Sequence, residues 1–174
     1  MSVEVVGVGD CRVSSDPETV LATYALGSCI GVMIYDPVSS VGGLLHFMLP
    51  ASRIDPAKAQ RNPYVFADTG IPLLFRQAYA LGAEKGRLMV SVAGGAQVMD
   101  GQGVFNIGRN NYVALRRILW QAGVLIDGEC VGGSVSRTVR LHLADGRISL
   151  RTGAGPECDF PLASPGITGV RLWK

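Results

Sequence analysis

One cysteine and one histidine in the first third of the chain have the residue types needed for hydrolysis through a covalent intermediate. Cys29 follows Gly27 and Ser28 at a turn between two apolar segments, where a side chain and neighbouring backbone N–H groups can be exposed. A thiol becomes a nucleophile when a base removes its proton, and converging N–H groups can stabilise an oxyanion. His46, one of 2 histidines, lies on the following apolar segment. The two residues are therefore a candidate nucleophile and base.

Each of these residues also has an ordinary structural explanation. A free cysteine between strands is commonly a buried core residue, and a histidine on an apolar strand is more often a hydrogen-bonded core residue than a catalyst. Strand alternation places Leu44, His46 and Met48 on one face, which fits both interpretations. The positions of Cys29 and His46 by themselves leave the choice open.

The elements that must position the pair are short strands. Apolar stretches bounded by Gly, Pro, Asp or Ser predict strands at 4–8, 20–24, 31–35 and 43–48. Cys29 would then lie just before the third strand and His46 on the fourth. If these two strands are neighbours in a sheet, the imidazole can approach the thiol.

Two helices and further strands are predicted in the rest of the chain. Apolar spacing predicts a helix from about 66 to 82 and a second helix at 109–121. The start of the first helix is left open, because Gly70 and Pro72 are poor helix-interior residues unless they lie in its first turn. Strands are predicted at 87–93, 124–131, 138–143 and 147–151, with a hairpin turn at 145–146 and an irregular tail from 153. We therefore expect an α+β fold, with one or two layered sheets flanked by two main helices, in a single domain at 1–174.

Composition narrows the function classes. A hydrophobic content of 48% suits a sizeable core, and a net charge of +2 gives no single-sign field that favours nucleic acid or an anionic membrane. The N-terminus lacks a signal-peptide pattern and no apolar run reaches about 18 residues, so we expect a cytoplasmic protein without membrane insertion. The four cysteines form no C-x-x-C pair. Three of them are expected to be dispensable for catalysis, because no polar or histidine-bearing turn surrounds them: Cys11, Cys130 and Cys158.

Motifs around the candidate pair resemble a known family. They are T-x-x-L-G-S-C at 23–29, G-V-M-I-Y-D at 31–36, G-G-L-L-H-F-M-L-P at 42–50, V-A-G-G-A at 92–96, F-N-I-G-R-N at 105–110 and V-G-G at 131–133. In order and content they resemble the chemoreceptor glutamine deamidases, the CheD family, over most of the chain. One departure is Ser136 before Arg137, where the family usually has Gly-Arg.

The resemblance implies a cysteine hydrolase of the cytoplasm that requires no metal or organic cofactor. It implies that Cys29 is the nucleophile, that His46 is the base and that Thr23 accepts the second imidazole N–H. The implied reaction converts glutamine to glutamate on the cytoplasmic helices of membrane chemoreceptors, through a glutamyl thioester. Two alternatives stay open: a regulatory binding partner of a CheC-type response-regulator phosphatase, and a Cys–His hydrolase acting on another protein amide or ester.

Six further residues are candidates for substrate contact. They are Gly27, Ser28, Phe105, Asn106, Arg109 and Asn110. The first two would supply backbone N–H groups to the oxyanion. The other four stand where the second helix begins, so helix capping explains them as well as contact with an amide does. His142 is expected to face solvent and has no assigned role.

Overall fold

Two β-sheets form the framework that positions the candidate pair. The computed structural model describes residues 1–97 and 106–161. The strands in these residues are β1 (Ser2–Val5), β2 (Asp10–Ser14), β3 (Thr19–Leu26), β4 (Ile30–Asp36), β5 (Val41–Phe47), β6 (Met89–Gly94), β7 (Gly128–Val131), β8 (Arg137–His142), β9 (Ile148–Thr152) and β10 (Glu157–Asp159). The first sheet has the order β1-β3-β8-β9-β10 and the second has the order β2-β5-β4-β6-β7.

Two helices cover one face of the second sheet, α2 (Ala67–Ala80) and α3 (Ile107–Gln121). A short helix, α1 (Pro56–Arg61), precedes them and has no buried residue. One apolar cluster joins Val32 of β4 to residues of α2 and α3, including Leu74 and Leu115. A second cluster joins the opposite face of this sheet to the first sheet, for example through Leu44 of β5 and Leu21 of β3. The layers are therefore sheet, sheet and helices, which confirms the α+β prediction.

Strand β5 is buried on both faces, and this fixes the direction of His46. Leu45 and Phe47 pack toward the helices, whereas Leu44 packs toward the first sheet. Because side chains alternate along a strand, His46 shares the face of Leu44 and lies between the two sheets. The sequence of β5 is continuously apolar around His46 because neither face meets water.

Most predicted elements are confirmed, with shifted ends. The two main helices and the strands predicted at 20–24, 31–35, 43–48 and 87–93 are present, but β1 ends before 8 and β7 begins after 124. The helix start that Gly70 and Pro72 left open lies at Ala67, and Pro72 is inside α2 beyond its first turn. Elements α1, β2 and β10 were not predicted, and β10 lies in the tail that was expected to be irregular. Both missed strands are short sheet edges, where pairing with a neighbour outweighs the strand's own pattern.

A β-bulge at the end of β3 directs the chain toward Cys29. Pairing of β3 with β8 is regular up to Thr23 and shifts before Leu26. Ala25 has a φ of 54° at the irregularity. The extra residue makes Leu26 the next side chain buried between the sheets. The strand was predicted to end at 24, whereas β3 continues through the bulge to Leu26. Alanine gives no sequence signal for the positive φ at Ala25.

A buried carboxylate fixes the turn after β4. Asp36 is 0% exposed and accepts hydrogen bonds from both Nε and Nη2 of Arg87. Its oxygens also accept the backbone N–H groups of Val38, Ser39 and Glu84. The Arg87 guanidinium is the main reason that the pKa of Asp36 lies well below its usual value. The carboxylate therefore joins the β4–β5 turn to the segment that leads into β6.

Replacing Arg87 by Met should destabilise the fold strongly, because it leaves a buried carboxylate without its counter-ion. We expect the free energy of unfolding to fall by about 3 kcal/mol at neutral pH. The same substitution at Arg12, whose pair with Asp10 is on the surface, should cost less than about 1 kcal/mol. Denaturant unfolding of both variants measures the difference. Equal losses would show that the Asp36–Arg87 pair does not have this structural role.

Candidate active site

The loop that carries Cys29 crosses from one sheet to the other, from the end of β3 to the start of β4. Its carbonyl oxygens are held from the side of β6. Gly27 O accepts the N–H of Ala96 at 2.7 Å, and Cys29 O accepts the N–H of Gly95 at 2.9 Å. Gly94 has a φ of 109°, and a Cβ atom there would collide with Cys29 O. The glycine pair therefore lets the β6 backbone approach and fix the loop.

His46 lies on the strand next to the one that Cys29 precedes. In the antiparallel pairing of β4 with β5, His46 is directly opposite Gly31. Cys29 directly precedes Ile30, the first residue of β4, which pairs with Phe47 next to His46. Cys29 also packs against the cluster between the sheets, on the side where His46 lies. The expected adjacency of the two strands is confirmed.

Thr23 determines which nitrogen of His46 carries the proton. Its hydroxyl lies 2.6 Å from the carbonyl oxygen of Val6 and 2.8 Å from His46 Nδ1. A carbonyl oxygen only accepts, so the single hydroxyl proton goes to Val6. The Thr23 oxygen must then accept a proton from His46, which places it on Nδ1. Nε2 is left with a free lone pair, the form that a general base needs.

The lone pair of Nε2 is buried and unused. His46 is 1% exposed, and Nε2 has no hydrogen-bond partner in residues 1–97 and 106–161. Cys29 is half-buried, and no hydrogen bond to its Sγ from Nε2 is formed within the same residues. Buried polar atoms without a partner are rare in folded proteins, and catalytic hydrogen bonds often tighten only when substrate binds. This combination is suited to a base that acts during the reaction.

Burial keeps both candidate groups neutral. It lowers the pKa of His46 to about 4. It also raises the pKa of the Cys29 thiol, although a hydrogen bond from the residue's own backbone N–H opposes the rise. A thiolate–imidazolium pair is therefore not the resting state near neutral pH. The arrangement instead allows the imidazole to take the thiol proton as the sulfur attacks.

Comparison with known proteins identifies the family. A model of the family described as CheD chemotactic sensory transduction matches residues 48–152. The chain is 60% identical over 147 residues to a protein of Solibacter usitatus named "Probable chemoreceptor glutamine deamidase CheD", covering 84% of this chain and 87% of the relative. The chain belongs to the CheD family. A protein of Syntrophus aciditrophicus with that name, numbered CheD 1, is 49% identical, over 87% of this chain and 95% of the relative.

A third relative extends the agreement. A protein of Anaeromyxobacter dehalogenans, named "Probable chemoreceptor glutamine deamidase CheD 2", is 51% identical over 88% of this chain and 96% of its own length. The region matched by the family model begins after His46 and includes α3. The match to the family model therefore rests on residues beyond the candidate catalytic pair.

Most of the expected substrate-contact residues lie near the loop of this CheD-family chain. The start of α3 touches the β6 end, since a Cβ atom at Gly108 would collide with Gly95 O. Asn106 precedes the helix with a φ of 40°, and its side-chain oxygen accepts from Gln97 rather than capping the helix. Arg109 and Asn110 are exposed in the first turn. Phe105 lies outside the described residues, and the substrate role of all these residues stays a prediction.

The environments of the other cysteines differ from that of Cys29. Burial raises the pKa of Cys11 to about 12, and Cys158 is exposed on an edge strand. Nε of the buried Arg137 donates to Sγ of Cys130 at 3.1 Å, a contact that the sequence did not predict. The dispensability of all three for catalysis stays a prediction. In the described ranges no group of three His, Cys, Asp or Glu side chains is arranged to hold a metal ion.

Asn111 is a buried residue of this site that is not among the six candidates for substrate contact. Its Nδ2 donates to the carbonyl oxygens of Ser28 at 3.0 Å and Met48 at 2.8 Å. Its position on the apolar stripe of α3, one turn before Leu115, is a signal that could have identified it. A polar residue on such a stripe must find buried partners.

His46 should titrate far below the usual range and carry its neutral-state proton on Nδ1. We expect nitrogen NMR of labelled protein to show the neutral Nδ1–H form throughout pH 5 to 8, with protonation only as the pH falls toward about 4. His142→Gln assigns the signal. Thr23→Ser should keep this form, whereas Thr23→Val removes the acceptor and should allow the other tautomer. A proton on Nε2 in the unsubstituted chain would contradict the assignment.

Proposed function

We propose that this chain hydrolyses glutamine side chains of chemoreceptors to glutamate, with Cys29 as nucleophile, His46 as general base and Thr23 as the group that orients the imidazole. The observation that carries the proposal is the Val6–Thr23–His46 chain of hydrogen bonds, which leaves Nε2 unprotonated on the face shared with Cys29. The activity named for relatives that are 49–60% identical supplies the substrate class.

The first half-reaction forms a thioester. His46 Nε2 takes the proton of Cys29 as Sγ bonds to the side-chain carbonyl carbon of glutamine, which gives a tetrahedral oxyanion. The proton then passes from Nε2 to the amide nitrogen. The carbon–nitrogen bond breaks, ammonia leaves and a glutamyl thioester remains on Cys29.

The second half-reaction restores the enzyme. Nε2 takes a proton from water as the water oxygen attacks the thioester carbonyl. The carbon–sulfur bond breaks, Sγ receives the proton from Nε2 and glutamate is released. The sum is glutamine plus water giving glutamate plus ammonia, so no redox partner enters the reaction.

A hydroxyl rather than a carboxylate orients the base, and this has a kinetic consequence. Thr23 fixes the tautomer without adding a negative charge that would stabilise the imidazolium. Each transfer of a proton to Nε2 therefore occurs in a site that favours the neutral ring, as the lowered pKa of His46 indicates. We infer a slow enzyme, suited to adjusting receptors rather than to metabolic flux.

The half-buried position of Cys29 is consistent with a glutamine presented on a helix. A helical substrate cannot enter a narrow channel, so recognition would come from the surface around the loop. The exposed Arg109 and Asn110 of the nearby first turn of α3 are suited to that surface. The described residues contain no helix long and apolar enough to cross a membrane. We propose that the chain acts in the cytoplasm, where the receptor helices would meet it.

Two other interpretations stay predictions. A CheC-type phosphatase as partner comes from the family resemblance and no contact tests it. Action on another protein amide or ester is distinguished by mass spectrometry of candidate proteins, because conversion of an amide to an acid adds about one dalton.

Replacing the nucleophile should abolish deamidation without unfolding the protein. In Cys29→Ala and Cys29→Ser we expect the rate on a purified receptor fragment to fall by at least about 1,000-fold, since one member of a cooperating pair is lost. His46→Ala should be nearly as damaging, and Thr23→Val less so. Cys158→Ser, at an exposed thiol, is the matched control and should keep full activity. A Cys29→Ser variant that retains most of the rate while folded would exclude covalent catalysis by this thiol.

A further inference from the structure

Asn111 contacts both parts of the catalytic arrangement with one amide group. It lies in α3, is 0% exposed, and its Nδ2 reaches Ser28 O in the nucleophile loop and Met48 O just beyond β5. Both partners are carbonyl oxygens, which only accept, so the nitrogen must be the atom that faces them. Both N–H groups of the side chain are therefore in use.

The bond to Ser28 sets the orientation of one peptide group. No cis peptide bond occurs in residues 1–97 or 106–161, so the N–H of Cys29 points opposite to Ser28 C=O. With that carbonyl drawn toward Asn111, the Cys29 N–H is directed away from α3. Cys29 itself packs against the cluster between the two sheets, whereas α3 packs on the other face of the second sheet. The donor thus lies on the side of the loop where a bond to Sγ would form.

The neighbouring carbonyl groups of the loop are fixed independently of Asn111. Gly27 O and Cys29 O are bonded to the backbone N–H groups of Ala96 and Gly95. Within residues 1–97 and 106–161, the partner of Ser28 O is the side-chain amide of Asn111. Among these residues, the direction of the peptide between Ser28 and Cys29 therefore depends on a side chain, whereas the neighbouring carbonyl groups are held by backbone.

The amide also has an unsatisfied acceptor. Asn111 Oδ1 is buried and has no partner among the described residues. Burying an unpaired carbonyl costs free energy that an apolar residue of similar size would avoid. The two hydrogen bonds that Nδ2 donates offset the free-energy cost of burying Oδ1. Both bonds are made to the segments that carry Cys29 and His46.

We propose that Asn111 is a positioning residue that holds the Ser28–Cys29 peptide so that the Cys29 N–H is directed at the oxyanion. Through its second bond it also holds this loop at a fixed distance from the end of β5, the strand that carries His46. The proposal rests on the proposed function, because the oxyanion arises only in that reaction. It assigns to Asn111 a role in stabilising the transition state, separate from activation of the thiol.

Two reactions of the same sulfur separate these roles. Deamidation builds an oxyanion at a carbonyl carbon, whereas alkylation by iodoacetamide displaces iodide from a saturated carbon and builds none. In Asn111→Leu and Asn111→Asp we expect kcat for a receptor fragment to fall on the order of 100-fold, with KM within about threefold. The rate of Cys29 alkylation should stay within about threefold of the unsubstituted chain. Leu119→Ala, buried further along α3, is the control for general loosening and should keep kcat.

The outcomes are distinct. A folded Asn111 variant with unchanged kcat overturns the proposal, and so does an equal fall in deamidation and alkylation, which would indicate loss of the whole loop. Absence of deamidation by the unsubstituted chain would instead refute the proposed function. If neither variant folds, NMR of the unsubstituted chain decides: the Asn111 amide protons should exchange slowly and show a hydrogen-bond coupling to the Ser28 carbonyl, and absence of that coupling overturns the proposal.

Discussion

The site depends on the single proton of the Thr23 hydroxyl. Since that proton is donated to Val6, the oxygen can only accept from His46, and the imidazole is left with its lone pair on Nε2. The three groups come from the segment after β1, from β3 and from β5, so the hydrogen bonds also join the two sheets. The packing that brings the sheets together is thus the same packing that selects the tautomer.

The buried polar atoms of the site lower the stability of the folded protein. Among the residues that the structure describes, the buried imidazole of His46 and the buried amide of Asn111 each have one polar atom without a partner. Apolar residues at both positions would pack without this cost. The large clusters on either side of β4 and β5, together with the Asp36–Arg87 pair, supply the rigidity that tolerates it. Functional sites commonly depart in this way from what stability alone would select.

The sequence predicted the elements with strong apolar patterns and the loop between β3 and β4, because turn residues and buried strands leave local signals. It did not predict β2 or β10, whose places depend on pairing at sheet edges. It also could not place the bulge at Ala25, because that backbone conformation is imposed by contacts across β3 and β8. Cys29 and His46 were proposed as the catalytic pair from residue type and motif. The role of Asn111 depends on two backbone carbonyl groups. Because every residue has one, the sequence does not show which carbonyl groups a side chain will contact.

Covalent catalysis by Cys29 is the central claim, and trapping of the intermediate tests it most directly. The unsubstituted chain is mixed in excess with a receptor fragment, quenched rapidly in acid and digested, and the peptide that contains Cys29 is examined by mass spectrometry for an attached glutamyl group of the fragment. A parallel reaction contains hydroxylamine, which attacks a thioester. The account predicts the adduct on Cys29 and a glutamyl hydroxamate at the reactive glutamine, with neither product formed by Cys29→Ala. Glutamate formation without an adduct, and without hydroxamate, would contradict it.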